Sequence, residues 1–163
     1  MPNNKKKLPV FGFGPIYVLT CLLLTIGALA LDYYGYLDMG KLTNGKTILF
    51  ALGVILIIMG IFLWIKSVIF QKIGEEIKKG HLVTTGVYSI VRNPIYSAFI
   101  LIFTGMLLMS ANLYLLILPF VFWAYLTVLM KLTEEKWLKE KFGDEYVEYC
   151  REVNRVIPWF RKR

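Results

Sequence analysis

Residues Asn93 to Met130 form a run of 38 positions without one charged side chain. As a single α-helix this run would reach roughly 57 Å, nearly twice a ~30 Å hydrocarbon core. It therefore has to fold back on itself, and the Ser110-Ala111-Asn112 step is the natural place for the reversal. Two further runs are uncharged, 24 residues between Lys7 and Asp32 and 19 between Lys46 and Lys66. Each is close to the ~20 residues that a crossing helix needs. The reading is an all-α, polytopic membrane protein with four transmembrane helices near residues 11–31, 47–69, 94–110 and 113–131. The last two make a tight helical hairpin. Composition agrees, since 57% of the chain is hydrophobic and soluble domains lie nearer ~45–50%.

Charge supplies an independent test of this layout. Of 19 Lys and Arg, all but Lys41 and Lys46 fall in the amino-terminal arm, the segment 66–92 or the tail after Met130. By the positive-inside rule these three pieces, and both termini, face the cytoplasm of a cell membrane, and the even number of spans agrees. A net charge of +8 in so apolar a chain points to anionic lipid headgroups and not to nucleic acid. Lys5-Lys6-Lys7, an apolar run and Ala28-Leu29-Ala30 imitate a cleavable signal peptide. The run is longer than a typical h-region, so the first span is expected to be retained. Cys21 lies in an apolar run and Cys150 in a charged tail, which argues against a disulfide or a metal site.

Two segments on the expected cytoplasmic side carry chemistry. In Gly80-His81-Leu82-Val83 through Phe99, Gly86 reads as a positive-φ turn, and Leu82 and Val83 as anchors toward the bilayer. Asn93-Pro94 reads as a helix start, with Asn93 as N-cap and Pro94 in the first turn. The free amides of such a turn can hold an electron-rich group, and Tyr88 and Tyr96 offer flat faces for a cation or an adenine. Arg92 sits at headgroup level. The second segment runs from Lys131 to Phe160. Lys131, Glu135 and Lys139 are spaced as i,i+4 pairs, which predicts a surface role for Glu135. Glu134 has no such mate and is the candidate to face inward. Beyond Gly143, Asp144 is a plausible new N-cap, with Phe142, Tyr146 and Tyr149 on one side and Trp159 as an interfacial anchor.

Together, "LVTTGVYSIVRNPIY" and, after the hairpin, "TEEKWLKEKFGDEYVEYCREVNRVIP" resemble the isoprenylcysteine carboxyl methyltransferase and phospholipid methyltransferase superfamily of membrane enzymes. The likeness covers about residues 79–160, half the chain, so that 1–78 reads as two spans and a connector within one integral membrane domain, and 79–163 as the methyltransferase-like part. It implies S-adenosylmethionine bound in a cytoplasm-facing pocket roofed by the carboxy-terminal helices. Carried over residue by residue, the cofactor contacts are Gly80, His81, Leu82, Val83, Tyr88, Asn93, Pro94, Ile95, Tyr96 and Glu134, with Arg92, Tyr96 and Glu134 at the reacting centre and no metal. The acceptor implied is lipid-linked or amphiphilic, a carboxylate first and a phospholipid amine second. Asn93 stands where the family has a histidine, His81 falls one residue late, and Met130-Lys131 stands where the prenylcysteine enzymes have an arginine. A sterol-type reductase and a non-enzymatic four-span scaffold are the alternatives.

Overall fold

The computed structural model describes residues 13–70 and 80–158. The amino-terminal lysines, Lys72, Lys78, Lys79 and Trp159 lie outside the described residues. Among the described residues six α-helices follow in order: α1 Gly14–Tyr33, α2 Lys46–Ile65, α3 Pro94–Met109, α4 Leu118–Leu132, α5 Glu134–Phe142 and α6 Asp144–Glu152. Among the described residues there is no β-strand, only two isolated β-bridges. In α1 the buried residues Gly14, Tyr17, Cys21, Thr25 and Asp32 recur every three to four positions or a multiple, the spacing of one helical face. Ile16, Leu19, Leu23 and Ile26 are exposed on its other sides, as suits a helix whose solvent is lipid.

Among the described residues three helical stretches are long and apolar enough to cross a membrane: Gly14–Tyr33, Lys46–Ile69 and Leu113–Phe142. The second runs into a π-helical turn, Lys66–Phe70, at the end of α2. The third span expected from sequence, α3, has 16 residues and rises only about 24 Å. It lies centrally, against α1, α2 and α4, and buries Ser97, Ala98, Phe103, Gly105 and Leu107.

The closest approach is between α2 and α3. A Cβ on Gly53 would stand 2.6 Å from the Gly105 carbonyl oxygen, and one on Gly60 2.7 Å from that of Ala98. Small residues thus sit seven apart on each helix and pair in antiparallel order. In lipid, where burying apolar surface drives little, such backbone contact is what holds helices together.

The expected reversal at Ser110-Ala111-Asn112 is present. α3 ends at Met109 and Ala111 takes φ +51°. Fully buried Asn112 donates through Nδ2 to Asp32 Oδ1 (2.7 Å) and to the Leu37 carbonyl (2.9 Å), and accepts the Tyr114 N–H at 3.0 Å. It fastens the α1–α2 connection to the hairpin turn at the end of the bundle away from Asn93. Asn112→Ala would leave the Asp32 carboxylate buried without that donor. The expected loss is about 2–3 kcal/mol, read as a lower midpoint of thermal unfolding in detergent; an unchanged midpoint would contradict it.

Candidate functional site

The opposite end of the bundle is built by the loop before α3 and the tail after α6. Gly80 and Gly86 both take positive φ, +80° and +61°, which lets the chain turn without Cβ strain. Val91 and Asn154 form a parallel bridge. The Arg92 and Asn93 N–H groups donate to the carbonyls of Asn154 (2.8 Å) and Arg155 (3.1 Å). Ser97 Oγ donates to the Val156 carbonyl at 2.5 Å, and Tyr149 Oη to the Tyr88 carbonyl at 2.6 Å. The tail therefore lies along the loop as an extended segment joined by one isolated bridge, which no local pattern in 153–156 announces. Leu82 packs against the buried cluster Tyr146, Tyr149 and Val153, with Phe142 beside it. Its anchor is the tail and not the bilayer.

Asn93 occupies the N-cap position and Pro94 opens α3, as expected. The Asn93 side chain does not cap, however. Its Nδ2 donates to the Arg155 carbonyl at 3.0 Å, so the tail takes it instead. Likewise α6 starts at Asp144 with Gly143 (φ +56°) as its N-cap, one residue earlier than expected.

The surface role expected for Glu135 is not what the fold gives. Glu135 Oε1 accepts from Arg92 Nη1 at 3.1 Å and from Arg155 Nε at 2.5 Å, and Oε2 accepts from Arg155 Nη2 at 3.0 Å. The Arg92 side chain is 7% exposed and that of Glu135 15%, so this is a largely desolvated cluster. Arg92 also donates through Nε to the Val153 carbonyl and lies 3.3 Å from Tyr146 Oη and 2.6 Å from Cys150 Sγ. The Glu135 carboxylate holds the Arg155 guanidinium above its ordinary range. Burial pushes the Cys150 thiol up, against the pull of Arg92. Local i,i+4 pairing is worth only a few tenths of a kcal/mol, which two guanidinium partners easily outweigh.

Glu134 points elsewhere because neighbouring helix positions diverge by about 100° and the chain breaks at Thr133 (φ −122°, ψ −88°). Its Oε1 accepts from Tyr96 Oη at 2.8 Å, and its carboxylate also accepts the Phe13 backbone N–H. An acid from the tail thus caps the start of α1, where negative charge is favoured. Gly14 leaves room for this contact, since a Cβ there would stand 2.6 Å from Tyr96 Oη. Burial raises the Glu134 pKa, and these two hydrogen bonds offset part of the shift. The ring of Tyr96 meets Tyr17 edge-on at 5.8 Å, and fully buried Tyr17 donates to the Phe122 carbonyl at 3.1 Å. Sequence reasoning passed over Tyr17. Its one signal is a ring with a hydroxyl at the i−4 position to Cys21 inside an apolar stripe.

Tyr88, Asn93, Tyr96 and Glu134 are thus gathered at one end of the bundle, with Tyr88 buried and Arg92 in the cluster beside them. Pro94 is buried and Ile95 half-buried in the first turn of α3, and Val83 is half-buried in the loop. Gly80 lies near Lys141, and His81 is exposed. One turn from Tyr96 opens an apolar groove of about 390 Å³ between α3, α4 and the tail, lined by Ser97, Leu101, Phe120, Trp123, Ile157 and Pro158 among others.

Residues 48–145 match the model of the phospholipid methyltransferase family. The chain is 37% identical over 79 residues to protein-S-isoprenylcysteine O-methyltransferase B of Arabidopsis thaliana, covering 48% of this chain and 40% of that protein. It is 42% identical over 79 residues to protein-S-isoprenylcysteine O-methyltransferase of Saccharomyces cerevisiae, covering 48% and 33%. It is 37% identical over 89 residues to methanethiol S-methyltransferase 1 of Bradyrhizobium diazoefficiens, covering 55% and 30%. The matched part is therefore well under half the length of each of these relatives.

Proposed function

Because the chain belongs to the phospholipid methyltransferase family, we propose that it is an integral membrane enzyme that methylates a lipid-linked or amphiphilic acceptor at the expense of S-adenosylmethionine. The observation that carries this reading is the convergence of Tyr96 and Glu134, 2.8 Å apart, beside an apolar groove. A polar, charged pair next to an apolar groove suits a reaction between a water-soluble donor and a membrane-borne acceptor. In this reading 1–163 is one membrane unit with α3 as a fourth span, and the site, both termini and the basic segments face the cytoplasm of the cell membrane.

The donor set fits the cofactor. A buried carboxylate accepts amino or hydroxyl protons and offsets a cation, and the faces of Tyr88 and Tyr96 suit a sulfonium or a purine. Glu134, Tyr88, Asn93, Tyr96 and the loop Gly80–Val83 would hold it, with Pro94 and Ile95 shaping the wall. When bound, S-adenosylmethionine supplies an electrophilic methyl group on a positively charged sulfur. The chain's own part is alignment, which can be worth roughly 7–11 kcal/mol in favourable cases, and exclusion of water. Tyr96 and Glu134 border the reacting centre, and Arg92 positions the loop from the ion cluster.

A carboxylate acceptor is favoured over a phospholipid amine. A carboxylate is already anionic, whereas an amine must lose a proton, and both oxygens of Glu135 are engaged by guanidinium groups. Adding radiolabelled cofactor to native membranes discriminates the two: base-labile label in an ester supports the carboxylate, and label in a phospholipid headgroup supports the amine.

Glu134→Gln keeps the shape and removes the charge. Calorimetric titration of detergent-purified protein with S-adenosylmethionine should show affinity lowered roughly 10- to 100-fold, the worth of one charge-assisted hydrogen bond. Unchanged affinity would remove Glu134 from the site. pH gives a second reading. Burial raises the Glu134 pKa, so its charged form is gained above the ordinary carboxylate range. Cofactor affinity should rise with pH through that interval, while the Glu134 contribution to folded stability falls as pH climbs through the same raised pKa. Glu134→Gln should flatten both.

A further inference from the structure

Turning Glu134 and Glu135 inward changes the outer face of α5. Of its six charged residues, the two acids at its start are engaged with Tyr96, Arg92 and Arg155. What remains exposed is Lys136, Lys139, Lys141 and Glu140, with Lys131 exposed just before the Thr133 break. Among the described residues, Lys131, Lys136 and Lys139 have no acidic group within 4 Å. Lys141 lies over the rings of Trp137 (5.4 Å) and Phe142 (5.1 Å), a pairing of aromatic and cation that suits a membrane interface. The next helix is the reverse. α6 exposes Asp144, Glu145 and Glu148 against Arg151 alone.

This end of the bundle is thus split by charge, with a basic helix following α4 and an acidic helix after it. We propose that Lys131 at the end of α4 and Lys136 and Lys139 on α5 form a docking surface for anionic lipid headgroups of the adjoining leaflet. The occupant follows from charge and place. α5 begins two residues after the apolar zone of α4 ends, within the headgroup layer, and a cationic face there meets lipid phosphates before any soluble partner. The acidic face of α6 would be repelled by the same leaflet and sets which side turns toward it. Lipid bound on α5 would also bear on the site, because α5 carries Glu134 and Glu135.

The test uses the full-length protein in nanodiscs of phosphatidylcholine containing about 30% phosphatidylglycerol, the fraction at which surface potential becomes appreciable. Association of spin-labelled phosphatidylglycerol is compared with that of spin-labelled phosphatidylcholine. Wild type should enrich the anionic lipid several-fold. Lys131→Gln/Lys136→Gln/Lys139→Gln should lose most of that enrichment, each lysine being worth up to roughly fivefold at the surface. The Lys→Arg triple variant should keep it, and 0.5 M salt should abolish it in both, a condition in which screening is nearly complete. Equal enrichment in wild type and the Gln triple variant would overturn the proposal, as would no enrichment in wild type. The readout does not depend on methyl transfer, so it can fail while the enzymatic reading stands. The circular dichroism spectrum of the Gln triple variant checks that α5 remains folded.

Discussion

Glu135→Gln is expected to detach the tail from the loop before α3. The substitution removes the acceptor shared by Arg92 and Arg155 and leaves two guanidinium groups facing each other in a site where the Arg92 side chain is 7% exposed. Breaking a fully buried pair costs about 3–5 kcal/mol. Partial exposure of Arg155, 22% at its side chain, lowers the expectation here to about 2–4 kcal/mol. The midpoint of thermal unfolding in detergent should drop, and Cys150, 2.6 Å from Arg92 Nη1, should react faster with a maleimide. Exposed Glu140 is the control, and Glu140→Gln should change neither. Adding Arg155→Gln to Glu135→Gln should restore part of the loss, because it removes one unpaired charge. If Glu135→Gln and Glu140→Gln are indistinguishable, the cluster does not hold the tail.

Gly105→Leu should be more damaging still. At that position even a Cβ would lie 2.5 Å from the Gly53 carbonyl oxygen and 2.7 Å from the Ile57 side chain. The nearer obstacle is backbone, which no rotamer change relieves, so α2 and α3 must part. Overpacking in a core commonly costs 1–3 kcal/mol, and loss of a backbone-to-backbone helix contact in lipid removes the main attraction as well. Most of the protein should leave detergent gel filtration in the void volume. Gly27, with nothing within 4 Å of its would-be Cβ, is the matched control, and Gly27→Leu should elute normally. A monodisperse Gly105→Leu with the unfolding midpoint of Gly27→Leu would refute the close contact.

Both predictions rest on contacts that local sequence does not display. The glycines of α2 and α3 are legible as glycines, but their partnership needs two helices brought side by side, and spacing within one helix says nothing of the other. Glu135 was misread for a related reason. Its i,i+4 lysines are real neighbours in sequence, yet the pairing that formed joins residues 43 and 20 positions away. Asn93 repeats the lesson, as its side chain bonds a carbonyl 62 residues on in place of its own helix. Glu134 was legible by elimination, since it lacked a local mate.

The sequence by itself determined the all-helical class with its long apolar helices, the hairpin reversal at Ser110-Ala111-Asn112 and the turns at Gly86 and Gly143. The hydrocarbon core demands long uncharged helices, and positive-φ turns demand glycine or a small residue, so those constraints are written locally. Only the tertiary structure decided that Glu134 meets Tyr96, that Glu135 binds the arginines, and that the tail lies along the loop as an extended segment. Partners for a buried charge or an unpaired backbone amide are chosen by whatever the fold brings within about 3 Å, and that choice has no image in residue order.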